Sequence, residues 1–312
     1  MEYVKLGKSG VKVSRIALGC LTLGREADEK ESVRMVDLAF DYGINLFDTA
    51  DFYSKGRSEE VLGKALEGKR NQVVLATKVS KPMGEGPNDQ GCSRYHIIRA
   101  VEDSLRRLKT DRIDLCQFHR FDPDTPLEES LRALDDLVRW GKVVYIGCSN
   151  FAARQLTKAL GISKNLGLHS FVSAQPMYNI LKREVETELL PLCMEEGIGV
   201  IPYNPLAGGF LTGKYEPNIN PPFGTRLGDS DIYRERYLSD ESFLRTSRFL
   251  EVSKKRRLHP IALAIAWVAS HPAVTSSIIG ARNEGQLRET LKFAELKISV
   301  QERDEISKEV WS

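Results

Sequence analysis

Eight short apolar runs recur along the chain: "RIALG" (15–19), "GINLFD" (43–48), "QVVLATK" (72–78), "RIDLCQFH" (112–119), "KVVYIGCSN" (142–150), "HSFVSAQ" (169–175), "GIGVIPY" (197–203) and "VTSSIIG" (274–280). Each is close to continuously hydrophobic rather than alternating, which predicts strands covered on both faces. Between them the apolar spacing becomes that of a helix. In 28–43, Val33, Val36, Leu38, Ala39 and Phe40 fall mostly on one face, and Gly43 supplies the stop. Segment 93–111 opens on Ser93 as an N-cap and closes on basic residues that suit the helix dipole. Segment 125–142 begins with Thr-Pro, carries acids in its first turn and ends at Gly141. Further helices over 151–165 and 184–196, and a buried one over 260–271, fill the later gaps.

Strands alternating with helices predict a parallel sheet. Eight such units in roughly 280 residues fit an α/β fold of the closed (β/α)8 TIM barrel type better than two doubly wound domains. The chain therefore reads as one barrel domain, 1–312. Before the first strand, "YVKLGKSGVKV" (3–13) reads as a β-hairpin that turns at Ser9-Gly10 and plugs one barrel end. The spacing breaks once, between Tyr203 and Val274, where 204–240 is rich in Gly, Pro, Asn and Asp. A segment of that length and composition predicts a long binding loop or lid after strand seven.

Composition narrows the function classes. With 41% hydrophobic residues, 28% charged residues and a formal net charge of +2, the chain has no global field for nucleic acid. The five cysteines (Cys20, Cys92, Cys116, Cys148, Cys193) are odd in number and form no C-x-x-C pair. That pattern suits reduced thiols in a cytoplasm rather than a disulfide framework or a zinc site. The N-terminus lacks a signal-peptide core, and no apolar run approaches the ~20 residues that span a bilayer. The expectation is a cytoplasmic protein without metal, nucleic-acid or membrane partner. Its oligomeric state stays open, with a monomer favoured.

In such barrels the chemistry sits where strands end. Those positions hold Asp48, Lys78, His119, Ser149-Asn150, Gln175, Tyr203 and Gly280, with Tyr53 in the loop after Asp48. A buried lysine needs a carboxylate, and Asp48 stands one strand from Lys78. A Tyr, a Lys–Asp pair and a His on one rim suggest proton transfer at an oxygen with no metal. The ammonium favours the tyrosinate, which makes the phenol a usable acid for carbonyl reduction while a separate donor delivers hydride. Asp51, in the same turn, is read only as shaping it.

The motifs "FDTADFY", "ATK", "QFHRFDP", "GCSNF", "AQPMYN", "IPYNPLAGG" and "IIGARNEGQL" occur in order over essentially the whole chain. Together they resemble the aldo-keto reductases, in the branch similar to aryl-alcohol dehydrogenases and potassium-channel β subunits. The loop "KPMGEGPNDQGCSR" (81–94) is similar to bacterial and plant members of that branch. The resemblance implies a barrel that binds an extended NADP(H), with a catalytic tetrad falling on Asp48, Tyr53, Lys78 and His119. It also implies that Ser149, Asn150 and Gln175 hold the carboxamide and that Tyr203 stacks on the nicotinamide. Asn204, Pro205, Leu206 and Gly208, with Lys214 and Arg226, would follow the pyrophosphate. Gly280, Arg282, Gln286, Glu289 and Thr290 would surround the adenosine phosphate. Asn204 and Thr290 depart from the Ser and Asn common among relatives. The substrate implied is a small carbonyl or alcohol. A cofactor-binding, redox-sensing regulatory subunit with little catalysis is the alternative, and a phosphate-binding barrel isomerase or aldolase is a third reading.

Other signals carry less. "GGFLTGK" has Walker A spacing, but Tyr215 replaces the Ser/Thr, and Pro217, Pro221 and Pro222 exclude the helix that must follow. No G-x-G-x-x-G follows a strand. "KKRR" (254–257) reads as the basic end of a surface helix opened by "SDESF". Trp140 and Trp267 read as helix-interior packing.

Overall fold

Tyr3–Lys5 (β1) and Lys12–Ser14 (β2) pair as an antiparallel hairpin in the computed structural model, which describes residues 1–312. In its turn Gly7 has φ +56°, and a Cβ there would lie 2.6 Å from the Gly197 carbonyl. Only glycine lets the hairpin sit this close to the strand that follows. Leu6 and Val13 then pack into the barrel with Ala17, Leu46, Val74, Ala76, Leu115, Ile201 and Ile278. The hairpin is therefore the expected plug, at the end where the strands begin.

The barrel strands are β3 (Ile16–Gly19), β4 (Leu46–Asp48), β5 (Val74–Val79), β6 (Ile113–Phe118), β7 (Val143–Ser149), β8 (Phe171–Gln175), β9 (Gly199–Val200) and β10 (Ser277–Ile279). All pair in parallel, in the order β10-β3-β4-β5-β6-β7-β8-β9. Parallel bridges Val200↔Val274 and Tyr203↔Ile278 join the two ends and close the sheet. β9 is short because Pro202 has no N–H to give a ladder, although its carbonyl still accepts from Ile278 N–H at 2.9 Å.

Outside the sheet run α1 (Glu29–Asp41), α2 (Arg57–Ala65), α3 (Arg94–Leu108), α4 (Leu127–Arg139), α5 (Ala153–Leu166) and α6 (Leu189–Glu196). The later part adds α7 (Asp231–Tyr237), α8 (Asp240–Lys255), α9 (Pro260–Ala269), α10 (Glu284–Phe293) and α11 (Val300–Trp311). Ser93 caps α3 by accepting from His96 N–H, and Ser239 caps α8, the surface helix that ends in the basic run. α9 starts on Pro260 and is buried from Ala262 to Val268, as its all-round apolar sequence requires. No helix is long and apolar enough to cross a membrane.

Three expectations change. The 204–240 segment is not structureless: a 3-10 turn spans Ala207–Thr212 and α7 occupies its far end. Helices α2, α10 and α11 stand where the apolar pattern singles out none. Trp140 is 51% exposed, not packed, because α4 ends one residue earlier and leaves the ring on the surface beside Lys142. Trp267, by contrast, is fully buried and donates to the Ser307 hydroxyl at 2.9 Å.

Candidate active site

Alternation along the parallel strands decides which side chains reach the barrel interior. Leu46, Ala76 and Leu115 belong to the inward layer, so Asp48, Lys78 and Gln117, two residues further on, point the same way at the strand ends. Lys78 Nζ donates to Asp48 Oδ2 at 2.5 Å, to the Thr49 carbonyl at 2.8 Å and to Tyr53 Oη at 3.3 Å. All three ammonium protons are thus placed. Lys78 is 1% exposed, and burial on its own would discharge it. Asp48 and Tyr53 outweigh that, and its pKa is pushed up to about 12.

Tyr53 begins a 3-10 turn that ends at Gly56, and the next two residues, Ser54 and Lys55, have φ of 51° and 52°. Two consecutive non-glycine residues in the left-handed region are strained, and this turn holds the phenol over the ammonium. The Tyr53 and His119 rings meet edge to face, with centroids 5.6 Å apart. Burial raises the Tyr53 pKa above its ordinary value, and Lys78 only partly opposes the rise. The expected acidifying influence of the lysine is present but does not win. The phenol keeps its proton throughout the neutral range.

His119 is held by its backbone N–H on the Val79 carbonyl at 2.9 Å. Burial first, then the charges of Lys78, Lys81 and Arg120, lower its pKa to about 2, so the ring is neutral. Its Nδ1 is buried without a partner.

Asp48 has two more donors, Gln175 Nε2 at 2.8 Å and Gln117 Nε2 at 3.2 Å, both on Oδ1. Attention to strand ends alone passes over Gln117. The two-residue spacing from Leu115 to His119 is the signal that finds it.

Asp51 also differs from expectation. Its Oδ1 does accept from Phe52 N–H at 2.6 Å, as a turn-shaping residue would. Yet the side chain is fully buried, Oδ2 has no partner, and burial followed by the charge of Glu59 pushes its pKa up to about 8.

Ser149 Oγ donates to the Gln175 carbonyl at 2.8 Å and accepts from Asn150 Nδ2 at 3.0 Å. Asn150, at φ 56°, also donates to the His119 carbonyl at 2.9 Å and accepts from Tyr203 Oη at 2.9 Å. These side chains, together with Gln175, form one connected group beside the Lys78 cluster. Asn204 Oδ1 accepts from Gly208 N–H at 2.6 Å, folding Asn204, Pro205, Leu206 and Gly208 into a tight bend at φ +68° for both Asn204 and Gly208. Lys214 is exposed beside Gly209.

Arg282 Nη2 donates to Asp229 Oδ2 at 3.0 Å and lies 3.9 Å from Glu26 Oε1, which is 3.5 Å from Arg226 Nη1. The sequence does not single out Glu26 or Asp229, because isolated surface acids give no periodic signal. Arg282 N–H donates to Gln286 Oε1 at 3.1 Å. Gly280 and Glu289 are exposed nearby in sequence, whereas Thr290 is buried with its hydroxyl on the Gln286 carbonyl at 2.9 Å.

The arrangement suits an extended dinucleotide. At one end stand side-chain amides and a half-buried tyrosine ring next to the buried ammonium. At the other, the guanidiniums of Arg226 and Arg282 converge on the same carboxylate oxygen, and a phosphate offers oxygens to such a pair in the same way.

The model of the aldo/keto reductase family matches residues 15–309. Among curated proteins, the uncharacterized oxidoreductase YrpG of Bacillus subtilis is 40% identical over 96% of this chain and 92% of its own length. A probable voltage-gated potassium channel subunit beta of Arabidopsis thaliana is 38% identical over 95% of this chain and 92% of its own. Versiconal hemiacetal acetate reductase of Aspergillus parasiticus is 36% identical over 97% and 95%.

Proposed function

This chain belongs to the aldo/keto reductase family and is a nicotinamide-dependent oxidoreductase that interconverts carbonyls and alcohols; we propose that Tyr53 is its proton donor and NADP(H) its preferred cofactor. The observation that carries the reading is the Lys78 ammonium, 2.5 Å from Asp48 and 3.3 Å from Tyr53 Oη in a buried pocket. When bound, the cofactor supplies a hydrogen and two electrons as hydride.

The protein's own groups complete the reduction. Tyr53 donates its proton to the carbonyl oxygen, which otherwise would carry the charge of an alkoxide. Lys78 stabilises the phenolate left behind, and Asp48 keeps Lys78 charged and aimed. Neutral His119 orients the substrate carbonyl by a hydrogen bond. Water then returns the proton to Tyr53.

Ser149, Asn150 and Gln175 hold the carboxamide, and Tyr203 stacks on the ring. Gln175 spends one Nε2 hydrogen on Asp48, so its Oε1 and second hydrogen remain for the carboxamide, while Gln117 is a further donor to Asp48. Arg226 and Arg282 take the phosphates, with Arg282 favouring a 2′-phosphate over a hydroxyl. Asn204, Pro205, Leu206, Gly208 and Lys214 follow the pyrophosphate, and Gly280, Gln286, Glu289 and Thr290 border the adenosine.

A regulatory reading, with cofactor binding but little turnover, is favoured by one observation: relatives named as potassium channel β subunits. The intact Tyr53–Lys78–Asp48 contacts support catalysis instead. A panel of aldehydes and ketones, with NADPH oxidation followed optically, separates the two. Turnover is expected; NADPH-induced thermal stabilisation without turnover on any substrate would support the regulatory role.

A further inference from the structure

Beneath the turn that carries Tyr53 lies a small cavity of about 30 Å³, lined by Asp51, Met83, His96, Arg99, Ala100, Asp103 and Arg107. It is large enough for a water molecule. Two of its lining side chains are almost completely buried and each has a polar atom without a partner, Asp51 Oδ2 and His96 Nε2. Buried polar atoms are rarely left unpaired, and two facing one small void call for a bridging molecule.

The polarity of such a bridge is fixed by its surroundings. His96 Nδ1 lies 3.1 Å from the Asn88 carbonyl, which can only accept, so Nδ1 carries the hydrogen and Nε2 a lone pair. Burial lowers the His96 pKa and keeps the ring in this neutral form. Asp51 makes no ion pair, and the charges of Arg107 and Lys78 only partly offset burial and the charge of Glu59. From α2 comes Glu59, whose Oε1 accepts from Thr77 Oγ1 at 2.5 Å and whose Oε2 accepts from Arg107 Nε at 2.7 Å. Arg107, from α3, is thereby committed, and its Nη2 donates to Ser104. Arg99, also from α3, is committed to Asp89, and Asp103 adds a further negative charge. From β5, Lys78 is spent on Asp48, Thr49 and Tyr53; from β6, Cys116 is a buried thiol. A carboxylic acid here can donate Oδ2–H to a water, and that water can donate to His96 Nε2.

We propose that Asp51 and His96 are positioning residues, joined through one water in this cavity, that tie the turn bearing Tyr53 to the 81–93 loop. Asp51 reaches the catalytic side through its backbone, donating its N–H to the Lys78 carbonyl at 3.0 Å, and through Oδ1 on Phe52 N–H, immediately before Tyr53. His96 reaches the loop through Asn88. The linkage thus couples the proton donor to the loop after β5, which borders the substrate side of the rim. It rests on the reading of Tyr53 as proton donor.

The test is a pH series on wild type, Asp51→Asn, Asp51→Ala and His96→Leu. Ionisation of Asp51 sets a second buried carboxylate against Glu59 and turns the water to donate to both Oδ2 and Nε2, so wild-type kcat/KM should fall as pH rises through about 8, apart from any limb due to Tyr53, whose pKa burial raises. Asp51→Asn keeps a donor that cannot ionise. It should stay within about threefold of wild type at pH 7 and lose the fall near 8, whereas Asp51→Ala should lose about tenfold at pH 7 and approach wild type above pH 8. His96→Leu should raise KM for the carbonyl more than it lowers kcat, because it frees the 81–93 loop.

Stability gives a readout that does not need turnover. An acid whose folded pKa is raised stabilises the fold fully below its unfolded pKa, about 4, and loses that contribution as pH rises through the folded value. The Tm of Asp51→Asn relative to wild type should therefore increase from about pH 4 to pH 8. Superimposable rate profiles of wild type and Asp51→Asn between pH 7 and 9, or a pH-independent Tm difference, would overturn the proposal. If wild type reduces no carbonyl, the catalytic reading fails by itself, and the Tm series still decides whether the buried acid exists.

Discussion

Lys78 and Arg282 each hold a carboxylate, but in opposite surroundings. The Lys78–Asp48 pair joins two neighbouring strands at 2.5 Å with side chains 1% and 4% exposed. The Arg282–Asp229 pair joins the loop after β10 to the 213–230 loop at 3.0 Å, with side chains 19% and 25% exposed. In the first, removing one partner strands a charge in a medium that cannot solvate it. In the second, water and salt can substitute for either partner, so the pair is exchangeable. The difference teaches where each part of the function is fixed. On the proposed reading, proton chemistry is built into the sheet, and the far end of the cofactor site is held by surface charges that a phosphate can displace.

The largest expected effect breaks the buried pair. Lys78→Met leaves Asp48 without its cation and Tyr53 without its ammonium. Turnover should fall by ~10²–10⁴-fold and stability by ~3–5 kcal/mol. NADPH oxidation and urea melts measure the two; a stable, active variant would erase the contrast.

At the exposed pair the effect is smaller and depends on ligand. Arg282→Ala should weaken NADPH about tenfold or more, since a charge-assisted bond contributes ~1.5–3 kcal/mol, and should hardly change NADH. The loss should shrink in high salt. Fluorescence titration of both cofactors decides it, and equal losses would remove Arg282 from the phosphate site.

Cofactor binding should also slow hydrogen exchange over 213–230, the stretch between the 3-10 turn and α7, while the barrel strands stay unchanged. Unchanged exchange in that stretch would contradict its role as a clasp. The smallest effect is a gain. Asp229→Asn removes the carboxylate that competes for Arg282, and NADPH should bind more tightly by at most about fivefold. A loss of affinity would mean that Asp229 closes the clasp rather than competing with the phosphate.

The same contrast explains what could be read from the sequence. Near-continuous apolar runs exist because the strands are covered on both faces, so all eight are visible, and Asp48, Lys78 and His119 stand where they end, whereas Tyr53 lies in the loop beyond and the tetrad as a set comes from the family resemblance. Helix α2 is hidden because it follows the Tyr53 turn directly and most of its buried positions are small or polar: Ser58, Glu59, Gly63 and Ala65. Asp51 looked like a turn residue because its Oδ1 is one; its burial comes from α3, which packs over it from forty residues away. Gln117 stands level with Lys78 in the register and is legible by two-residue alternation, but the strand-end position of its run is taken by His119. Glu26 and Asp229 were not legible at all, since an exposed acid acquires meaning only from the arginine that another loop brings to it. Trp140 shows the converse: a large apolar residue beyond the last helical turn has no core to enter.

The central claim is that Tyr53 gives the proton and Lys78 governs it, independently of how the cofactor is held. Tyr53→Phe removes one hydroxyl and keeps the ring against His119. Its single-turnover rate with a good carbonyl substrate and its NADPH Kd should be measured side by side. The expected result is a ~10²–10⁴-fold slower chemical step with a nearly unchanged Kd. Near-full turnover, or a loss that appears entirely in Kd, would contradict the account.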